Sequence, residues 1–485
     1  MNSNELSRKA GNAAKWSTIT EVSARIIAPI TSMILARLLA PQAFGVVTTI
    51  TMVITFAQLF SDAGFQKYLV QHEFKDDEDR SKSTNVAFIT NLTIALILWG
   101  LIVIFRNPIA SAVGNPDLGL ALAIVCVQIP LTSFSSIQMA LYWREFNFKT
   151  LFMVRIIASL IPLAVTVPLA IIGFGYWSLV IGTTCGILSN AIILTVKSKW
   201  KPMLYYNFAL LKEMFSFSFW SLLESISVWF TLWVDALIIG NAFNAYYLGL
   251  YKTSLNMVNS FMAVVTASTI PILFSVLSRL QSDEVKFQAM YYKTQRFVSY
   301  LVLPMGFGIF LYRHLATSIM LGSKWTEASD IIGIWALVAA FGIIFSNFNG
   351  EVYRSRGKPK LSFIYQLIHL MFLIPTCLIS MRYGFWVLVY ARSLIRFQGT
   401  ITGFIFMRIF MGFSVKEMLG NVAKPLGCTL LMGVVAIGLQ QISSSVIWSF
   451  VSIVICVAVY GGLLLLTDRD EIRESVKLFK KKRKG

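Results

Sequence analysis

The sequence predicts an all-α polytopic membrane protein of about fourteen transmembrane helices, in two parallel six-helix bundles followed by a C-terminal helix hairpin. Three observations carry that prediction. The 485 residues are 56% hydrophobic and 13% charged, with a mean hydropathy of +0.69, whereas a soluble domain carries about 25% charged residues. Apolar stretches long enough to cross a bilayer recur along the whole chain. The first half of the chain also resembles the second, segment by segment.

The expected spans are 14–39, 44–70, 86–105, 117–141, 151–173, 176–196, 213–240, 247–275, 292–312, 329–350, 361–381, 385–407, 422–440 and 446–466. The opening MNSNELSRKAGNAAKW is polar and basic and lacks a short apolar core ending in a small-residue cleavage site, so the first span is expected to stay as a signal anchor. Charge then sets topology. Most of the 42 basic residues fall in connections on the side of the N-terminus, including the tail LFKKKRKG, while the opposite connections hold only Arg106, Arg313, Lys324 and Arg382. The positive-inside rule therefore places both termini in the cytoplasm. The net charge of +19 reflects topology and attraction to anionic lipid rather than nucleic-acid binding. Cys126, Cys185, Cys377, Cys428 and Cys456 stand singly in apolar spans and read as small packing residues.

The internal likeness is specific. LLAPQAFGVV around Gly45 resembles NAFNAYYLGLY around Gly249, GFGYWSLV (173–180) resembles YGFWVLV (383–389), and the basic YWREFNFK (142–149) has its counterpart in VYRSRGKPK (352–360). An even number of spans per copy gives both copies the same orientation. The expected division is 1–199 for the first bundle, 200–415 for the second, 416–467 for the appended helices and 468–485 for a basic cytoplasmic tail.

Polar stripes mark the helices that face protein or a water-filled cavity, since hydrocarbon cannot solvate them. Thr48, Thr51, Thr55, Gln58 and Asp62 follow helical spacing in the second span. Lys252, Asn256, Asn259 and Thr266 do so in the eighth, and Ser218, Ser221, Glu224, Thr231 and Asp235 in the seventh. Each stripe alone is also compatible with hydrogen bonding between helices; matched stripes in both copies favour a cavity. The chain has no GxxxxGK[ST] segment, no HExxH and no spaced His/Cys cluster, and its outward connections are short. Those features argue against an ATPase, a metalloenzyme and a membrane-embedded polymerase or ligase. A transporter or flippase remains, without metal or organic cofactor. His369 reads as a packed core histidine rather than a proton carrier.

ILARLLAPQAFG (34–45), AQLFSDAGFQKYLVQ (57–71), WREFNFK (143–149), GFGYWSLV (173–180), KWKP (199–202), VDALIIG (234–240), LGLY (248–251) and LGSKW (321–325) occur in that order. Together they resemble the bacterial polysaccharide flippases of the MOP exporter superfamily, in particular its colanic-acid and teichuronic-acid branch. That resemblance implies a MATE-like fold around a central cavity and a substrate, an undecaprenyl-diphosphate-linked oligosaccharide, moved from the cytoplasmic to the outer leaflet of the bacterial cytoplasmic membrane. It implies a monomer working beside glycosyltransferases and a polymerase. A diphosphate in a dehydrated cavity needs fixed cations, and the planar fork of arginine suits it. Arg25, Lys252, Arg392 and Arg396 are the deepest cations and thus the expected head-group ligands, with Thr55, Gln58, Ser221, Asn256 and Asn259 lining the cavity. Glu21 would neutralise Arg25 until the diphosphate arrives, or form a permanent pair with it. Arg392 and Arg396 could instead pair with Glu224 or face lipid head groups. Asp62, Glu224 and Asp235 are candidates for proton or sodium coupling; Asp235 could equally cap its helix or pair with Arg37. The chain departs from the family pattern at Lys252, where a small polar residue is expected. The rival reading is a cation-coupled drug or metabolite antiporter of the same superfamily, against which the four buried cations speak.

Overall fold

A computed structural model describes residues 27, 29–62, 64–145, 147–469 and 471, without the side chains at 215–221, 224, 267, 268, 271, 272 and 275. The regular secondary structure of the described residues is all helix, with no strand. The helices are α1 (Pro29–Leu38), α2 (Pro41–Asp62), α3 (Phe65–Gln71), α4 (Asp77–Ile104), α5 (Arg106–Ala112), α6 (Gly119–Val125), α7 (Gln128–Arg144), α8 (Phe148–Ile172), α9 (Tyr176–Lys197) and α10 (Phe208–Ala242). They continue with α11 (Ala245–Arg279), α12 (Glu284–Leu311), α13 (Arg313–Met320), α14 (Ala328–Phe345), α15 (Asn349–Ser355), α16 (Lys360–Ser380), α17 (Phe385–Met411), α18 (Val415–Gln440) and α19 (Val446–Thr467). Among the described residues, 11 stretches are long and apolar enough to cross a membrane, or 12 when α12 and α13, bent by 90°, count as one span. From the second onward each expected span falls on helix, but 44–70 is divided between α2 and α3, 117–141 between α6 and α7 and 329–350 between α14 and α15. The expected fourteen exceeds the 11 or 12 found among the described residues. Of the first, α1 is described, and residues 14–26 lie outside the described residues.

Local chemistry sets the helix ends. Asp76 caps α4 by accepting the Asp79 N–H at 2.7 Å, and Asp77, Glu78 and Asp79 follow in the first turn, where they complement the positive end of the helix dipole. The two copies of the Gly–aromatic motif behave alike. Gly175 (φ 57) turns the chain into α9, and Gly384 (φ 106) turns it into α17; a side chain at either would be strained in this left-handed region.

The described chain packs as two compact units, Met1–Lys252 and Thr253–Gly485, with the boundary inside α11. This division by packing is distinct from the repeat boundary near residue 199, which rests on self-similarity of the sequence. In the first unit α2 and α11 cross backbone to backbone. A Cβ on Gly45 would lie 1.7 Å from the Ala245 carbonyl oxygen, and one on Gly249 would lie 1.8 Å from that of Pro41. The paired motifs around Gly45 and Gly249 are therefore contact surfaces of one another. Around them Ile50, Leu122, Val125, Cys126 and Ile129 form a dry core. In the second unit Tyr300, Tyr312, Met432, Cys456 and Tyr460 join α12, α18 and α19. Four of the five cysteines are buried and all are free, as expected of packing residues.

Candidate functional site

The polar face of α2 opens onto two cavities of the first unit. Thr55, Gln58 and Asp62 wall one of about 300 Å³, together with Asn91, Ser133 and Ser136. Thr51 faces the other, of about 390 Å³, with Gln128, Thr183 and Asn190. A single turn of helix thus separates residues that the sequence places on one stripe. Trp229 donates its indole N–H to the Thr55 hydroxyl at 3.1 Å, which ties α10 to the wall of the first cavity. Asn91 on α4 donates to the Ser136 hydroxyl at 2.8 Å. Its own Oδ1, and Oδ1 of Asp62, are buried with no hydrogen-bond partner among the described residues. Buried acceptors are nearly always satisfied. Both acceptors belong to the wall of the same cavity.

Deeper in the same unit, Lys252 and Asp235 form a desolvated ion pair. The Lys252 ammonium lies 3.3 Å from Asp235 Oδ1, donates to the Leu232 carbonyl at 2.6 Å and sits 4.9 Å above the Trp233 ring. Asp235 is 1% exposed and also accepts the Tyr251 hydroxyl at 2.8 Å and the Ala236 N–H at 2.7 Å. Arg37 is exposed on α1. The departure from the family pattern at Lys252 is thereby matched to a carboxylate on the neighbouring helix.

In the second unit the cations are arranged differently. The Arg392 and Arg396 guanidinium carbons lie 5.5 Å and 4.5 Å from the centre of the Trp335 ring. Trp335 is 4% and Arg392 6% exposed, so Arg392 is directed at α14 rather than outward. The Trp335 indole N–H donates to Asn259 Oδ1 at 3.1 Å, which carries the polar stripe of α11 to the same aromatic ring. His369 Nδ1 lies 3.1 Å from Gln398 Oε1, and Gln398 donates to the Thr402 hydroxyl at 2.8 Å. The histidine belongs to a packed hydrogen-bonded chain.

Glu21 and Arg25 lie outside the described residues, as do the side chains of Ser221 and Glu224. Asn256 is exposed on α11. Sequence reasoning missed Asn91, Trp229, Tyr251 and Trp335. Asn91 had a signal, an amide inside an apolar span. The aromatic residues had none, because a tryptophan in an apolar run looks the same whether it packs on leucine or on a guanidinium.

Buried cations, polar-walled cavities and long apolar helices together define a polytopic membrane protein of carrier architecture. Residues 34–330 match the family described as polysaccharide biosynthesis protein, and the chain belongs to that family. It is 26% identical over 338 residues to the succinoglycan biosynthesis transport protein ExoT of Rhizobium meliloti, covering 70% of this chain and 67% of that one. It is 21% identical to the teichuronic acid biosynthesis protein TuaB of Bacillus subtilis, with 90% of each covered, and 21% identical to the lipopolysaccharide biosynthesis protein WzxC of Escherichia coli, with 77% and 76% covered. Among solved structures, the fold is similar to the inward-closed lipid II flippase MurJ at a TM-score of 0.75, with 16% identity and 94% and 99% of the two chains covered. It is similar to an inward-facing MATE transporter of the MOP superfamily at 0.63, with 13% identity and 81% and 98% covered. The polysaccharide-export family and the MATE-like helical fold expected from the motifs agree with these findings.

Proposed function

We propose that this protein is a flippase, not an enzyme, that moves an undecaprenyl-diphosphate-linked oligosaccharide from the cytoplasmic to the outer leaflet for surface polysaccharide synthesis. The observation that carries the reading is family membership joined to cations set among apolar helices, the buried Arg392 and the half-buried Arg396 foremost. A diphosphate brings negative charge into a region that water cannot screen. Guanidinium groups one helical turn apart offer it two forks of donors. The Trp335 ring supports both guanidinium groups by cation–π attraction. Lys252 is the third candidate, and ligand arrival would then compete with Asp235 for its ammonium. Arg25 remains a candidate by sequence. Transport would follow alternating access between two bundles, with both termini cytoplasmic and the chain monomeric beside glycosyltransferases and a polymerase. Asp62 and Asn91 are the proposed place for a coupling proton or sodium ion, because each brings an unsatisfied acceptor to one cavity.

The test is the sidedness of the lipid-linked oligosaccharide, read with a glycosidase that cannot cross the membrane. Loss of the gene should trap the oligosaccharide on the cytoplasmic side. A double Arg392→Gln/Arg396→Gln variant, folded and present at normal level, should restore less than about a tenth of the wild-type outer pool, the loss expected for two charge-assisted contacts. Complete externalisation without the gene, in a strain with no second flippase, would overturn the reading in favour of a cation-coupled antiporter.

A further inference from the structure

A third cavity of the first unit, about 520 Å³, lies where α4 begins, α7 ends, α8 begins and α9 ends. It is lined by other residues than the two cavities described above, although Thr84 on its wall lies two turns before Asn91 on α4. Its wall carries three cations, Arg80, Lys197 and Lys199. It also carries two carboxylates, Asp77, which lies 3.2 Å from Arg80, and Glu145. The Tyr142 hydroxyl and the Trp200 indole N–H belong to this wall, are buried, and have no hydrogen-bond partner among the described residues. Tyr142 is 7% exposed. A buried donor left unsatisfied is costly, and here two donors share one cavity with a small excess of positive charge. An acceptor-rich anion would satisfy both donors.

The surroundings identify its source. Thr150 lines the cavity, and Met153, Ile157 and Leu160 continue the same face of α8, 44%, 37% and 47% exposed. Only Val154 and Thr166 of α8 are buried in the protein, so this helix presents its apolar surface to hydrocarbon. A polar cavity with donors and cations, opening at the head of an apolar, lipid-facing stripe, matches a molecule with a phosphate at one end and an acyl chain at the other.

We propose that this cavity holds the phosphate of a membrane phospholipid headgroup, with Tyr142 and Trp200 donating to its oxygens, Lys197 and Lys199 supplying charge, and an acyl chain lying along Met153, Ile157 and Leu160. The phosphate could equally be a free anion, and the experiment separates the two. The full-length protein in detergent is titrated with phosphatidylglycerol, and separately with sodium phosphate, and bound lipid is counted by native mass spectrometry. One phosphatidylglycerol should be retained per protein. Tyr142→Phe, which deletes only the hydroxyl, should weaken retention about tenfold, the scale of one hydrogen bond to a charged group. Lys197→Gln/Lys199→Gln should weaken it at least as much, and millimolar phosphate should not displace the lipid. Trp200→Phe reads the same donor loss if Tyr142→Phe does not fold. Equal retention by wild type and the folded variants overturns the proposal, as does displacement by inorganic phosphate. The proposal stands apart from the flippase reading, since lipid retention is measured without transport.

Discussion

In the first unit the Lys252 ammonium is set 3.3 Å from a carboxylate, whereas in the second the Arg392 and Arg396 guanidinium groups are laid against the face of Trp335. Both arrangements put positive charge among apolar helices, but the physics differs. A carboxylate and an ammonium in a dry interior depend on each other, because either one alone is a desolvated charge. A tryptophan ring attracts a cation through its quadrupole, at about 0.5–2 kcal/mol, and leaves its formal charge in place. The first arrangement suits a cation whose partner must be displaced before a ligand can use it. The second suits a cation that meets an anion while keeping its aromatic support.

The largest effect should come from breaking the ion pair. Asp235→Ala strands the Lys252 ammonium and the Tyr251 hydroxyl, and removing one partner of a buried pair costs about 3–5 kcal/mol. Thermal unfolding in detergent should show that loss, and Asp235→Asn combined with Lys252→Met should regain much of it. A double variant no more stable than Asp235→Ala would break the comparison, since the pair would then not be the source of the cost. A smaller effect is expected in the second unit. Trp335→Leu should destabilise the fold less than Asp235→Ala, while lowering the externalised oligosaccharide more than a comparable Trp233→Leu change. Arg396→Lys sharpens the same point, because an ammonium keeps the charge but loses the planar stacking and the fork. It should fold normally and flip about tenfold less.

The smallest effect is a pH dependence at the end of α19. Asp468, with its side chain 1% exposed, accepts from Arg296, Tyr300 and Lys424. Burial alone would raise its pKa, but the hydrogen bonds from Tyr300, Arg296 and Lys424 outweigh that and hold it below its ordinary 3.8. A lowered folded-state pKa means that the stability is present above 3.8 and is lost as pH falls through the folded value. Unfolding followed under acid titration should therefore steepen below the ordinary carboxylate range in wild type and flatten in Asp468→Asn. Parallel acid limbs in both would remove Asp468 from the account. This cluster places a carboxylate just past the last helix in contact with two cations and a phenol, a third way of seating charge at the edge of the apolar region.

Much of the fold was legible because a bilayer imposes one-dimensional rules. Length and hydropathy mark the helices, as in Tyr176–Lys197 and Val446–Thr467, and Gly175 and Gly384 mark where two of them begin. The motifs around Gly45 and Gly249 were visible as a likeness, and Lys252, Asp235, Arg392 and Arg396 as charges out of place. Their partners were not visible. Side-chain pairing depends on helix rotation and crossing, which hydropathy does not encode, so Thr51 and Thr55 read as one stripe yet face different cavities. The sequence by itself determined that this is a polytopic helical protein with buried cations. That Lys252 meets Asp235 and Trp233, and that Arg392 and Arg396 lie against Trp335, follows only from how the helices rotate and cross in the folded protein.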